Sequence, residues 1–129
     1  MLVAEEAQSR LKAKAEEVAR ALGAPIEQLL ADVNVTRLNN GGKIIPAEIQ
    51  AHHVRWALEW KSNAITYRLR VVVRLADNGQ AARAEQTMVQ CEASTPYNFE
   101  GHTPTTTMRQ VVGVDLPHIR EAVIAILPI

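Results

Sequence analysis

Residues 64–93 constrain this chain more than any other stretch. Ile65, Tyr67, Leu69, Val71, Val73 and Leu75 are apolar at odd positions, while Thr66, Arg68, Arg70 and Arg74 hold even ones. Only Val72 breaks the alternation. Apolar residues at every second position demand a strand with one face on a core and the other in water. Asp77-Asn78-Gly79 follows, and Asn-Gly after such a run signals a hairpin whose second arm begins at Ala81. Loop length then sets the pairing. A two-residue Asn78-Gly79 loop would place odd positions against even ones and set Arg74 opposite Arg83. A three-residue Asp77-Asn78-Gly79 loop with Gly79 left-handed pairs odd with odd, Tyr67 with Val89 and Ile65 with Cys91, and separates like charges. The three-residue loop is the expected one.

The flanks of the hairpin supply what covers it. Val3, Ala7, Leu11, Ala15, Val18 and Leu22 form a narrow stripe with charged residues around it, which predicts a helix over 2–22 that ends at Gly23. Residues 25–30 fit a further turn or two of helix behind Pro25. Residues 32–38 read as a short strand, Val33 and Val35 on one side and Asn34 and Thr36 on the other. Asn39-Asn40-Gly41-Gly42 is a break. The Gly-Gly before Lys43 lacks the spacing and the Ser/Thr of a phosphate loop.

Residues 44–61 are extended and change phase near His52-His53, which predicts a bulge, a turn or a change of environment there. Trp56 and Trp60 share one face of that segment. They either close the core against a helix or form an aromatic groove for an extended partner. Residues 94–107 are polar and turn-rich but carry Tyr97 and Phe99, and are read as the mobile segment of the chain. Residues 108–114 fit a helical turn or a short edge strand equally well. Asp115 is a good N-cap, Pro117 suits a first turn, and Leu116, Ile119, Val123, Ile126 and Leu127 line one face of a helix that stops at Pro128.

The expected fold is therefore α+β, one domain over 1–129. An antiparallel sheet of about four strands within 31–99 carries an N-terminal helix (2–22) and a C-terminal helix (115–127) packed on it. The 14 basic and 14 acidic side chains balance, so no global field for nucleic acid exists. Arg68, Arg70 and Arg74 read as a solvated sheet face, with phosphate contact the alternative. A single cysteine, Cys91, gives no disulfide framework, and no signal peptide or apolar stretch long enough to span a bilayer occurs, so a cytoplasmic, non-membrane protein is expected. His52, His53, His102 and His118 lack metal-ligand spacing, and no serine, cysteine or carboxylate pair has a poised base. No cofactor and no catalytic set is expected. The thin N-terminal stripe and the apolar C-terminus point to a homo-oligomer.

Leu116-Pro117-His118-Ile119-Arg120-Glu121 resembles the opening of the first long helix in the SecB-like export chaperones. Residues 32–38 resemble their first strand, the hairpin is similar in kind to their antiparallel sheet, and Leu127-Pro128-Ile129 to their proline-containing segment after the helix. His118 stands where an aromatic is usual. The helix over 2–22 is additional, and the second helix is missing. The resemblance implies oligomerisation through sheet and helices, no cofactor, and apolar grooves that hold unfolded chains. The expected function is a chaperone or client-binding protein, its client an unfolded or extended polypeptide such as an export or toxin–antitoxin component. Trp56, Trp60, Tyr97 and Phe99 are its expected client contacts. A small-molecule-binding or enzymatic domain with a pocket between sheet and last helix, or a structural assembly protein, is the alternative.

Overall fold

The structure is a computed structural model that describes residues 2–50, 52–94 and 105–128. In chain order it contains α1 (Leu2–Leu38), β1 (Lys43–Gln50), β2 (His53–Ser62), β3 (Ile65–Asp77), β4 (Ala82–Ser94), β5 (Thr105–Val112) and α2 (Leu116–Ile126). The strands form one antiparallel sheet in sequence order, β1 to β5. The protein is thus an α+β fold with an N-terminal helix, a multi-stranded antiparallel sheet and a C-terminal helix packed on it.

The expected helix over 2–22 extends to Leu38, so the strand expected over 32–38 is helical instead. Leu11, Ala15, Val18, Ile26, Leu29, Leu30 and Val33 are all buried, so one apolar stripe continues in phase past Gly23 and Pro25. That burial outweighs the local stop signals. The sheet accordingly begins at Lys43 rather than 31, and it has five described strands instead of about four. Asn34 closes the helix end onto the sheet. Its amide Nδ2 donates to the Gly42 carbonyl at 3.1 Å, and the Gly42 N–H donates back to Oδ1 at 2.8 Å. A Cβ on Gly42 would lie 2.8 Å from both Asn34 Oδ1 and Leu58 Cδ1, which is why a glycine sits there.

Beyond the register shift at Arg74/Leu75 the hairpin pairs odd with odd, but by another route than the expected loop. Asp77 pairs with Ala82 across the loop Asn78-Gly79-Gln80-Ala81, and Asn78 Oδ1 accepts from the N–H groups of Gln80 and Ala81 at 2.8 Å each. A four-residue loop sets odd against even. The register shift between Arg74 and Leu75 leaves Glu85 as an extra residue and restores the parity. Tyr67 therefore meets Ala93, not Val89, and Cys91 meets Leu69, not Ile65.

The phase change near His52-His53 is a hairpin turn, with Gln50 paired to His53, and a second irregularity lies at Pro46-Ala47 in β1. Residues 108–114 resolve as the end of edge strand β5 and a turn at Gly113, whose φ is 63°. Val54, Trp56, Leu58 and Trp60 of β2 share the helix-side face with Leu69, Val71, Val73 and Leu75 of β3 and with Val89 and Cys91 of β4. Ile119, Ala122, Val123 and Ile126 of α2 join the same core. The other sheet face is set with ion pairs, Arg55–Glu48, Arg68–Glu59 and Arg70–Glu92. These join neighbouring strands as expected for a solvated antiparallel face. No described helix is long and apolar enough to cross a membrane.

Candidate functional site

Of the four side chains expected to contact a client, Trp56 and Trp60 are placed and brought onto one face of β2. Tyr97 and Phe99 lie outside the described residues. Trp56 is 0% exposed and Trp60 6%. Trp60 stacks on Tyr67, its direct cross-strand neighbour, with ring centroids 5.2 Å apart and planes 15° apart. Neither indole N–H has a hydrogen-bond partner among the described residues. In the single chain both rings belong to the core.

The accessible concave surface lies elsewhere. β5 is the last strand of the sheet among the described residues, and seven of its eight positions are exposed, Val111 alone being buried. Met108 is 48% exposed and Val112 91%. A cleft of about 520 Å³ runs between β5 and the outer face of α2, with Arg109, Val112, Asp115, His118, Glu121 and Ala125 among its lining. The turn that joins the two elements is fixed from within. Thr87, fully buried on β4, donates its hydroxyl to the Gly113 carbonyl at 2.8 Å, and the Gly113 N–H donates to the carbonyl of Glu85, the bulge residue, at 3.0 Å. The bulge that corrects the hairpin register thus also anchors the end of β5.

α2 starts at the mouth of this cleft. Asp115 caps it, accepting from the His118 N–H at 3.3 Å and meeting His118 Nδ1 at 2.6 Å. The His118 hydrogen bond holds the Asp115 carboxyl below the usual range, and the same bond raises the His118 imidazole above its own. Both groups are open to solvent, and with Arg109 and Glu121 they make a mixed-charge rim. Among the described residues no three His, Cys, Asp or Glu side chains gather as metal ligands.

The two sheet edges differ. β1 carries Pro46 at its irregularity, with Lys43 and Glu48 exposed. Proline, bulges and charges are the usual means of blunting an edge. β5 has neither proline nor bulge, and Arg109 is its only charged residue. Sequence reasoning missed this edge as a site, although Thr105-Thr106-Thr107 before Met108 is a β-branched run typical of strands. No family model matches the chain, and no curated protein or solved structure matches it either.

Proposed function

We propose that this protein binds unfolded or extended polypeptide, as a SecB-like chaperone would, by adding a client strand to the free edge of β5 beside α2. The observation that carries the reading is the exposed β5 edge, which no described strand covers, next to a 520 Å³ cleft. An extended chain has backbone groups to satisfy and no fixed shape. A sheet edge meets the backbone irrespective of sequence, and a neighbouring cleft accommodates alternate side chains. Met108 projects from the sheet face opposite α2, beside Gln90, where its flexible thioether would adapt to the client side chains that point to that side. The sequence Leu116–Glu121 that resembles the SecB-like helix opening forms the first part of α2, which walls the cleft. A small-ligand site would favour a polar cluster buried beneath α2. The polar groups here line an open rim instead, which favours the polypeptide reading.

The test uses substitutions that leave the core alone. Met108→Lys and Val112→Lys put gatekeeper charges on exposed positions of the edge. Suppression of aggregation of a chemically unfolded client should fall with either variant while Tm holds. Suppression that is absent in wild type, or untouched in both variants, rules the edge out as a client site.

A further inference from the structure

We infer that the notch where β2 outruns β1 binds a phosphate monoester of a small polyhydroxylated molecule, with the phosphate between Lys43 and Lys61. The site lies at the opposite edge of the sheet from β5 and stands independently of the client reading.

The notch follows from the lengths of the strands. β2 pairs with β3 as far as Ser62, but with β1 only as far as Glu59, which meets Lys43. Past that rung Gly41 and Gly42 bring no side chains to fill the space beside Trp60 and Lys61, and a cavity of about 370 Å³ remains. Small-ligand clefts run from about 300 to 1,000 Å³. The two glycine N–H groups are already committed, Gly41 to the Leu38 carbonyl and Gly42 to Asn34 Oδ1, at 2.8 Å each. The loop is therefore no backbone cradle, and side chains must supply the donors. Asn40 N–H donates to the Asn34 carbonyl at 2.8 Å, so two carbonyls near the end of α1 are occupied. That weakens the negative pole which would repel an anion.

Lys43 and Lys61 are exposed, and neither has an acid partner among the described residues. Glu59 stands directly opposite Lys43, but Arg68 holds its carboxylate from the other side. Lys61 follows Glu59 by two residues and so shares its face, which leaves two ammonium groups together at one end of the sheet. Thr66, opposite Lys61, adds a hydroxyl to the lining. Trp60 lines the same notch, is 6% exposed, and has an indole N–H with no partner among the described residues. A buried donor left unsatisfied is costly, and a ligand oxygen relieves it. Two cations and two neutral donors suit a dianion with several oxygens, which a phosphate is. Glu59 remains to accept from hydroxyl groups on the rest of the ligand. The Trp60 ring is stacked on Tyr67, so it gives no free face to a nucleobase, and a hydroxylated ligand fits instead.

The probes are glucose phosphate, glucose and inorganic phosphate, titrated in phosphate-free buffer. Glucose phosphate should saturate one site per chain, about tenfold tighter than inorganic phosphate, and glucose should not bind. The chain has two tryptophans, so its NMR spectrum holds two indole N–H signals, which Trp60→Phe assigns. Glucose phosphate should move the Trp60 signal and leave that of Trp56 in place. Lys43→Gln and Lys61→Gln, both at exposed positions, should each weaken binding about tenfold with Tm unchanged. Lys12→Gln, which removes the same charge from an exposed position on α1, should not. Absence of saturable glucose phosphate binding, an unmoved Trp60 signal, or an equal loss with Lys12→Gln overturns the inference. Inorganic phosphate bound as tightly as glucose phosphate would overturn the choice of ligand.

Discussion

Asp77 is one residue through which acid reaches this fold. Arg10 of α1 grips it with two bonds, Nε to Oδ1 at 2.7 Å and Nη2 to Oδ2 at 2.9 Å, and its side chain is 8% exposed. The Arg10 hydrogen bond, with a further one from the Gly79 N–H, lowers its carboxyl from 3.8 to about 2. A carboxyl depressed in the folded state favours folding fully above its unfolded pKa. Between pH 4 and 2 the unfolded chain takes up a proton that the folded one refuses, so this contribution falls as pH drops through that window. Acid unfolding of Asp77→Asn should show a shallower loss of stability between pH 4 and 2 than wild type. A second single-residue effect sits in the β2–β3 turn, where Asn63 and Ala64 have φ of 52° and 66°. A side chain at such an angle is strained, and Ala64 is exposed with nothing to gain from its methyl. Ala64→Gly should raise stability by about 0.5–1 kcal/mol in urea titration. Asn34→Ala should lower it by about 1–3 kcal/mol, since it strands the Gly42 N–H and carbonyl together.

Elements were legible in the sequence where one period ran unbroken, and illegible where local chemistry and tertiary burial disagree. The β3 alternation and the Asp115-to-Pro128 helix signals are each supported by capping, turn and pattern together, and both elements are present. α1 shows the opposite case. Gly23 and Pro25 say stop, and residues 32–38 alternate like a strand, yet Leu22, Ile26, Leu29 and Val33 fall at spacings of a single helical face. That spacing was the readable signal, and it prevails because the helix buries its stripe from Leu11 to Val33, roughly 33 Å of its length, in the common core. The hairpin register was readable only to its parity, because a bulge of one residue leaves no mark in composition. The edge role of β5 was readable only as one of two options for residues 108–114, because a short stretch of that composition suits a helical turn as well as an edge strand. For α1 a direct test follows. Pro25 is exposed within the helix and cannot donate the N–H bond of its position. Pro25→Ala should stabilise the protein by about 1–3 kcal/mol, given the penalty for proline in a helix interior. A destabilised variant would mean that the helix requires a break at that point.

At the scale of the whole molecule, both helices and all five strands share one hydrophobic core. Leu11, Val18 and Leu30 of α1, Trp56 and Trp60 of β2, Leu69 and Val71 of β3, Val89 of β4 and Val123 of α2 belong to the same buried cluster. Leu69 lies at its centre, fully buried between Leu58 on β2 and Cys91 on β4 and on the face the helices cover. Removing its isobutyl group leaves a cavity that a sheet paired on both sides cannot collapse around. Leu69→Ala should therefore cost about 2–5 kcal/mol. With no separate core to keep either helix folded, that loss should appear as one transition. Tryptophan fluorescence, which reports Trp56 and Trp60 inside the core, and far-UV circular dichroism, which reports mainly the helices, should give coincident midpoints in wild type and variant. Trp60→Ala should behave like Leu69→Ala, lowering Tm, because its ring is packed on Tyr67 and enclosed. Met108→Lys, at an exposed edge position, should leave both midpoints where they are. A Trp60→Ala variant of unchanged Tm would place that ring outside the energetic core and return it to the binding surface. Separate fluorescence and dichroism midpoints would divide the chain into parts that fold independently.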